Sequence, residues 1–241
     1  MSERSRPPLP SRPKAPRVLA ALALLGTLFG ATLSAQAQDL TAFEKRTTVH
    51  RLANGWTFVI VQRSVAPVFS FATVVDVGSA QEVAGITGLA HMFEHMAFKG
   101  TQNLGTTDWP AEEKALEKVE VAYAAYDAAR RKPHPDAAEV ERLQSELAAR
   151  QEEAGRFIEK GAFDSLVQRE GGVGLNASTG ADATHYFYSL PSNKIELFAY
   201  LESERFLNPV FREFYQERAV VQDERRYAIE SQPVGRLVEA V

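Results

Sequence analysis

Cysteine is absent from the 241 residues. That excludes disulfides, a thiolate metal site and a cysteine nucleophile, and leaves His, Asp or Glu to hold any metal. Exported chains can do without disulfides when the core is large enough. Long apolar stretches are scarce too: Val18 to Leu33 stands out, yet it falls short of the roughly 20 residues that cross a bilayer. Arg4, Arg6, Arg12, Lys14 and Arg17 precede it and Ala35-Gln36-Ala37 follows, which is the layout of a secretory signal peptide over residues 1–37. An uncleaved anchor is the alternative. Consecutive arginines are missing from residues 1–37, which argues against twin-arginine export, and no cysteine is there to carry a lipid. Positive charge is also short: with five basic residues and one acidic one in residues 1–37 and a formal charge of −4 overall, the rest of the chain stands at −8. Nucleic acid is therefore not an expected partner.

What is present is ordinary globular composition, 45% hydrophobic and 24% charged, enough for a packed core. Val49 to Gln62 alternates around Asn54-Gly55, which predicts a β-hairpin with a two-residue turn, and Val68 to Val77 is expected to extend that sheet. Gly78 to Gly85 reads as a turn region. The following ITGLAHMFEHMAF carries apolar residues at helical spacing up to Gly100. Thr107, Asp108 and Pro110 start a helix striped by Leu116, Val119, Tyr123 and Tyr126, and a second, striped by Val140, Leu143 and Leu147, follows Pro133 and Pro135. Together they predict an antiparallel helical hairpin inserted at about 109–162, to which the sequence assigns a structural or docking role. LNASTGADATHYFYSLP alternates like two strands joined near Gly180. Helices are expected over about Lys194 to Leu207 and from near Phe211 to beyond Tyr227. The class is α+β, a mixed β-sheet covered by helices.

Two of the five histidines lie four apart in His91-Met92-Phe93-Glu94-His95, so one helical turn sets both imidazoles on the same side. Such a pair can close on one ion, with Glu94 beside it to take a proton from a metal-bound water. The alternative is a helix with two surface histidines. Against it, the segment is otherwise apolar (Ile86, Leu89, Ala90, Met92, Phe93, Met96), where two His and a Glu are costly without a partner. A catalytic zinc wants a third protein ligand and an open position. His50 and His185 are candidates, and Glu217 and Glu224, seven apart on one helix face, are better ones; spacing does not choose between them.

GLAHMFEHMAFKGT, LNASTGADATHYFYSLP and ERAVVQDERR, in that order across most of residues 45–240, resemble the signature segments of the pitrilysin and insulinase family, metallopeptidases with a reversed zinc motif. The resemblance implies a metallopeptidase half-domain of the processing-peptidase-like type, occupying residues 38–241 and incomplete at its C-terminus. It implies one Zn2+ held by His91, His95 and Glu224, with Glu94 as the catalytic base and Glu217 as a supporting acid. Asn176 and Ala177 would lie on an edge strand that pairs with substrate backbone. Asp223 stands where many relatives have Glu. His95 and Glu224 lie 129 residues apart, longer than in many relatives, and the helical hairpin accounts for the excess.

The function expected is a zinc-dependent metalloendopeptidase acting on peptides or unfolded segments, exported to the periplasm or secreted. The alternative is a non-catalytic family subunit acting as scaffold or presenting substrate to an active one. A third class, a module using zinc structurally, would need four protein ligands and no free base. Family members close a chamber with a further domain, so this chain is expected to bind zinc but cleave little until a second family domain or subunit completes it.

Overall fold

The computed structural model describes residues 40–239, with side chains to Leu237. The signal peptide expected over residues 1–37 lies outside the described residues. The chain divides between Val65 and Ala66 into two units.

In the first, α1 (Leu40–Glu44) leads into β1 (Thr47–Arg51) and β2 (Thr57–Val61), paired antiparallel from Thr47↔Val61 to Arg51↔Thr57. The Asn54-Gly55 hairpin forms, but its loop holds three residues, not two. The Leu52 N–H donates to the Trp56 carbonyl at 2.8 Å and the Gly55 N–H to the Leu52 carbonyl at 3.0 Å. That is a three-residue loop ending in Gly55 at φ +93°, a conformation open to glycine, with Asn54 Oδ1 accepting the Trp56 N–H.

In the second unit, β3 (Val68–Val75), β4 (Val173–Thr179) and β5 (Thr184–Pro191) form a sheet of order β3-β5-β4. β3 therefore does not extend the hairpin's sheet as expected: it pairs with β5, from Val68↔Pro191 to Val75↔Thr184. All these pairings are antiparallel. The α+β class holds, and the sheet expected to be mixed is an antiparallel one. Strand β5 buries Thr184, Tyr186, Tyr188 and Leu190 on alternate positions. Its lower half meets Phe163 and Val167 of α5 (Ala162–Arg169) and Leu201 of α6 (Ile195–Leu207) in the core, with Phe69, Phe71 and Phe198 packed around them. Each such side chain contributes about 1.5–3 kcal/mol of burial.

The helical hairpin forms as α3 (Trp109–Arg130) and α4 (Ala137–Gly155). Asp108 caps α3 by accepting the Ala111 N–H, and Asp136 caps α4 by accepting from Ala138. Lys118 pairs with Glu153 at the base and Lys132 with Glu139 at the tip, half-exposed ion pairs consistent with the antiparallel register. Ala115, Val119, Ala122, Leu147 and Ala154 fill the seam.

The remaining elements are α2 (Leu89–Met96), α7 (Phe214–Arg225), a π-turn at Arg226–Glu230 and α8 (Pro233–Glu239). Helix α7 begins three residues later than Phe211, because Glu213 sits at φ +56°, outside the helical region.

After α2 the chain reverses at Gly100, at φ +90°, where a Cβ would lie 2.2 Å from the Leu104 carbonyl oxygen. Gly100→Ala must shift rigid backbone as well as strain φ, so a loss of about 2–4 kcal/mol is expected. Thermal or urea unfolding measures it; a loss below about 1 kcal/mol would show the turn to be pliant.

Candidate metal centre

Helix α2 is launched by Glu82, whose carboxylate accepts the Gly88 and Ala90 N–H groups at 2.6 and 2.7 Å, satisfying donors that a helix start leaves open. Gly88, at φ +95°, sets the start at Leu89, later than the apolar pattern suggests. Buried Ala90, Met92 and Met96 anchor one face. His91, Glu94 and His95 emerge half-buried.

Helix α7 lies against them. His91 Nε2 is 3.3 Å from His95 Nε2, Glu224 Oε2 is 3.4 Å from the first and 3.6 Å from the second. A tetrahedral ion with ligand distances of about 2.0–2.1 Å holds its ligand atoms about 3.3–3.4 Å apart, so the triangle has the size of one face of such a site. Two imidazole nitrogens and a carboxylate oxygen are also the donor types zinc takes. Among the described residues this is the group of His, Asp and Glu gathered closely enough to hold a metal ion. His50 lies in β1 and His185 in β5, and neither joins it.

Glu217, on the same face of α7 two turns nearer its start, places Oε2 3.2 Å from His95 Nδ1. A carboxylate there accepts the Nδ1–H and leaves Nε2 with its lone pair toward the Glu224 side, the usual arrangement behind a metal-binding histidine. Two residues passed over in the sequence complete this arrangement. Lys99 donates to Glu217 and Glu213, at 2.5 and 3.1 Å. Thr179, the last residue of β4, donates its hydroxyl to Glu94 Oε2. Lys99 is part of the quoted GLAHMFEHMAFKGT segment and Thr179 of LNASTGADATHYFYSLP, but nothing in a linear spacing shows that their side chains turn back onto the acids.

Burial disfavours the Lys99 ammonium, but hydrogen bonds and charge from Glu217 and Glu213 outweigh it and hold its pKa above the usual lysine value. Burial likewise opposes Glu213 ionisation, and Lys160 and Lys99 outweigh it, leaving this carboxyl below its usual range. A depressed carboxyl stabilises the fold above its unfolded pKa, and that contribution disappears as pH falls through the folded value. Glu213→Gln is therefore expected to lower Tm near neutrality, with the gap to the parent closing as pH falls below the ordinary carboxylate range; a gap constant with pH would mean the loss is not electrostatic.

Asn176 and Ala177 lie on β4, which is the edge of its sheet among the described strands, opposite Phe187 and Tyr186. The Ala177 N–H is held by Asn176 Oδ1 at 2.8 Å. Both residues line an open cleft of about 420 Å3 with Glu94, His95, Phe98, Lys99, Asp164 and Glu217. Tyr186 is fully buried beneath, against Phe98, and burial raises its phenol pKa.

Residues 57–128 match the family model "Insulinase (Peptidase family M16)". The chain is 30% identical over 226 residues, 92% of its length, to "Zinc protease PqqE" of Helicobacter pylori, and covers 37% of that protein. Among solved structures it is similar to a protease from Helicobacter pylori, with TM-score 0.53 and 27% identity over 79% of this chain and 33% of that one. It also matches the first half of the periplasmic protease PqqL from Escherichia coli, with TM-score 0.46 and 20% identity over 81% of this chain and 32% of the other. The chain thus spans about a third of the length of the relatives it matches.

Proposed function

For a chain similar to insulinase-family proteases in both sequence and fold, we propose that His91, His95 and Glu224 hold one zinc ion and that the site hydrolyses peptide bonds as a metalloendopeptidase. The observation that carries this reading is the triangle of donor atoms, 3.3–3.6 Å on a side, with Glu94 on the same helix turn. Zinc at that point would polarise the scissile carbonyl and lower the pKa of a water from about 15.7 to near 7.

The chain's own residues supply the rest. Glu94 is the base that takes a proton from the attacking water and passes it to the leaving amine. The Thr179 hydroxyl steadies one of its carboxylate oxygens. Glu217 orients the His95 ring, and Lys99 offsets the charge of Glu217. An extended peptide would add to the free edge of β4 at Asn176 and Ala177, displacing the Asn176 side chain from the Ala177 N–H. Because Thr179 ends that same strand, the backbone track and the base are tied together. A backbone-reading edge favours extended or unfolded substrates over any particular sequence.

Three protein donors leave a tetrahedral ion one open position, and Glu94 lies outside the donor group, where it can serve as a base; both fit catalysis better than a structural zinc. The rival scaffold role draws no support from a site in which all four groups are present. Since the chain spans about a third of its relatives, further chain or a partner subunit is proposed to complete the chamber. Export rests on the leader-like residues 1–37. Metal analysis paired with Glu94→Gln tests the reading: zinc retained with cleavage lost supports it, and purified chain without zinc overturns it.

A further inference from the structure

The helical hairpin has no part in the chemistry above, yet its base is wired to the helix that carries Glu217 and Glu224. Arg212, just before α7, is fully buried and bonds the equally buried Glu112 of α3, Nε to Oε1 at 2.5 Å and Nη2 to Oε2 at 3.2 Å. Its remaining N–H groups go to the carbonyls of Thr101, Lys99 and Leu104, at 2.7, 3.0 and 3.2 Å, all in the turn that follows α2. One guanidinium thus joins the hairpin, the end of the histidine helix and the start of the glutamate helix.

One turn further along, Tyr215 of α7 stacks on Tyr123 of α3, ring centres 3.8 Å apart and planes 18° apart. Its hydroxyl donates to Glu120 at 2.7 Å. Arg218 donates to the Tyr123 hydroxyl at 2.8 Å and lies over both rings. These residues occupy the hairpin side of α7, whereas Glu217 and Glu224 reach the histidines.

We propose that the hairpin is a brace for the metal centre and that Glu112, Arg212 and Tyr123 are positioning residues that set where Glu224 meets His91 and His95. The inference rests on the zinc reading above. Its physical basis is leverage. Glu224 lies ten residues past Phe214, where α7 begins, about 15 Å along a helix rising 1.5 Å per residue, so a tilt of about 5° carries it about 1.3 Å. Metal–ligand distances tolerate only about 0.2 Å. A helix bearing one ligand at its far end needs its near end fixed from outside, and the hairpin supplies that fixture.

The test is zinc affinity of the full chain by competition with a chromophoric chelator, and the visible absorption of the Co2+-substituted chain, which reports tetrahedral geometry. Tyr123→Leu and Glu112→Gln are expected to weaken zinc binding at least tenfold and to alter the Co2+ spectrum, with far-UV circular dichroism unchanged. Should Glu112→Gln fail to fold, the Glu112→Leu/Arg212→Met pair replaces it, since it leaves no unpaired buried charge. Lys132→Ala, at the hairpin tip, is expected to change neither readout. Folded variants with parental affinity and an unaltered Co2+ spectrum would overturn the brace while leaving the zinc reading intact. A parent chain that binds no zinc would overturn both.

Discussion

Glu94→Gln is expected to cut kcat/KM on a quenched peptide library by about 10³-fold, within the span that general acid–base groups supply, while zinc stays bound one per chain. The substitution is nearly isosteric, and a glutamine carbonyl can still accept the Thr179 hydroxyl, so the cleft and the donor triangle should keep their shape. What is lost is the ability to take a proton from water. If the chain alone cleaves too slowly to measure, the comparison belongs in the chain joined to the further chain or partner subunit proposed to complete the chamber. Unchanged cleavage would remove Glu94 from the mechanism. Loss of zinc together with cleavage would instead assign it to the architecture of the metal site.

The local parts of this site were legible in the sequence because they depend on local geometry. Four residues make a turn, so His91 and His95 had to share a face, and Asp108 before Pro110 had to start a helix. The alternation of LNASTGADATHYFYSLP gave β4 and β5 and their turn. Spacing alone left Glu217 and Glu224 undistinguished, since both share a face of α7; the resemblance separated them, and the structure brings Glu224 to the Nε2 side of the histidines and Glu217 to Nδ1. Long-range pairing was not legible. β3 looked like a continuation of the hairpin, but its partner is β5, more than a hundred residues on, and alternation cannot show which strand a strand will pair with. Nor could the sequence show that Arg212 and Glu112, a hundred residues apart, would be buried together, because charged residues are read as surface until a partner is seen.

The distinct stations of Glu224, Glu217 and Glu94 predict a graded zinc series. Structural zinc sites bind with about 10–16 kcal/mol, so removing one of three protein ligands should take away about 3–5 kcal/mol, or 10²–10⁴-fold in affinity. Glu224→Ala is expected to fall in that range. Its side chain is 49% exposed, so the loss should come with little effect on stability and cannot be put down to unfolding. Glu217→Gln, which only loosens the hold on His95, should cost about 10–100-fold, as partners behind a ligand do. Glu94→Gln should cost almost nothing. Chelator competition on the three variants reads the order directly. If Glu217→Gln were the worst and Glu224→Ala bound zinc like the parent, the third ligand would be Glu217, and α7 would have to turn relative to α2 when the ion enters.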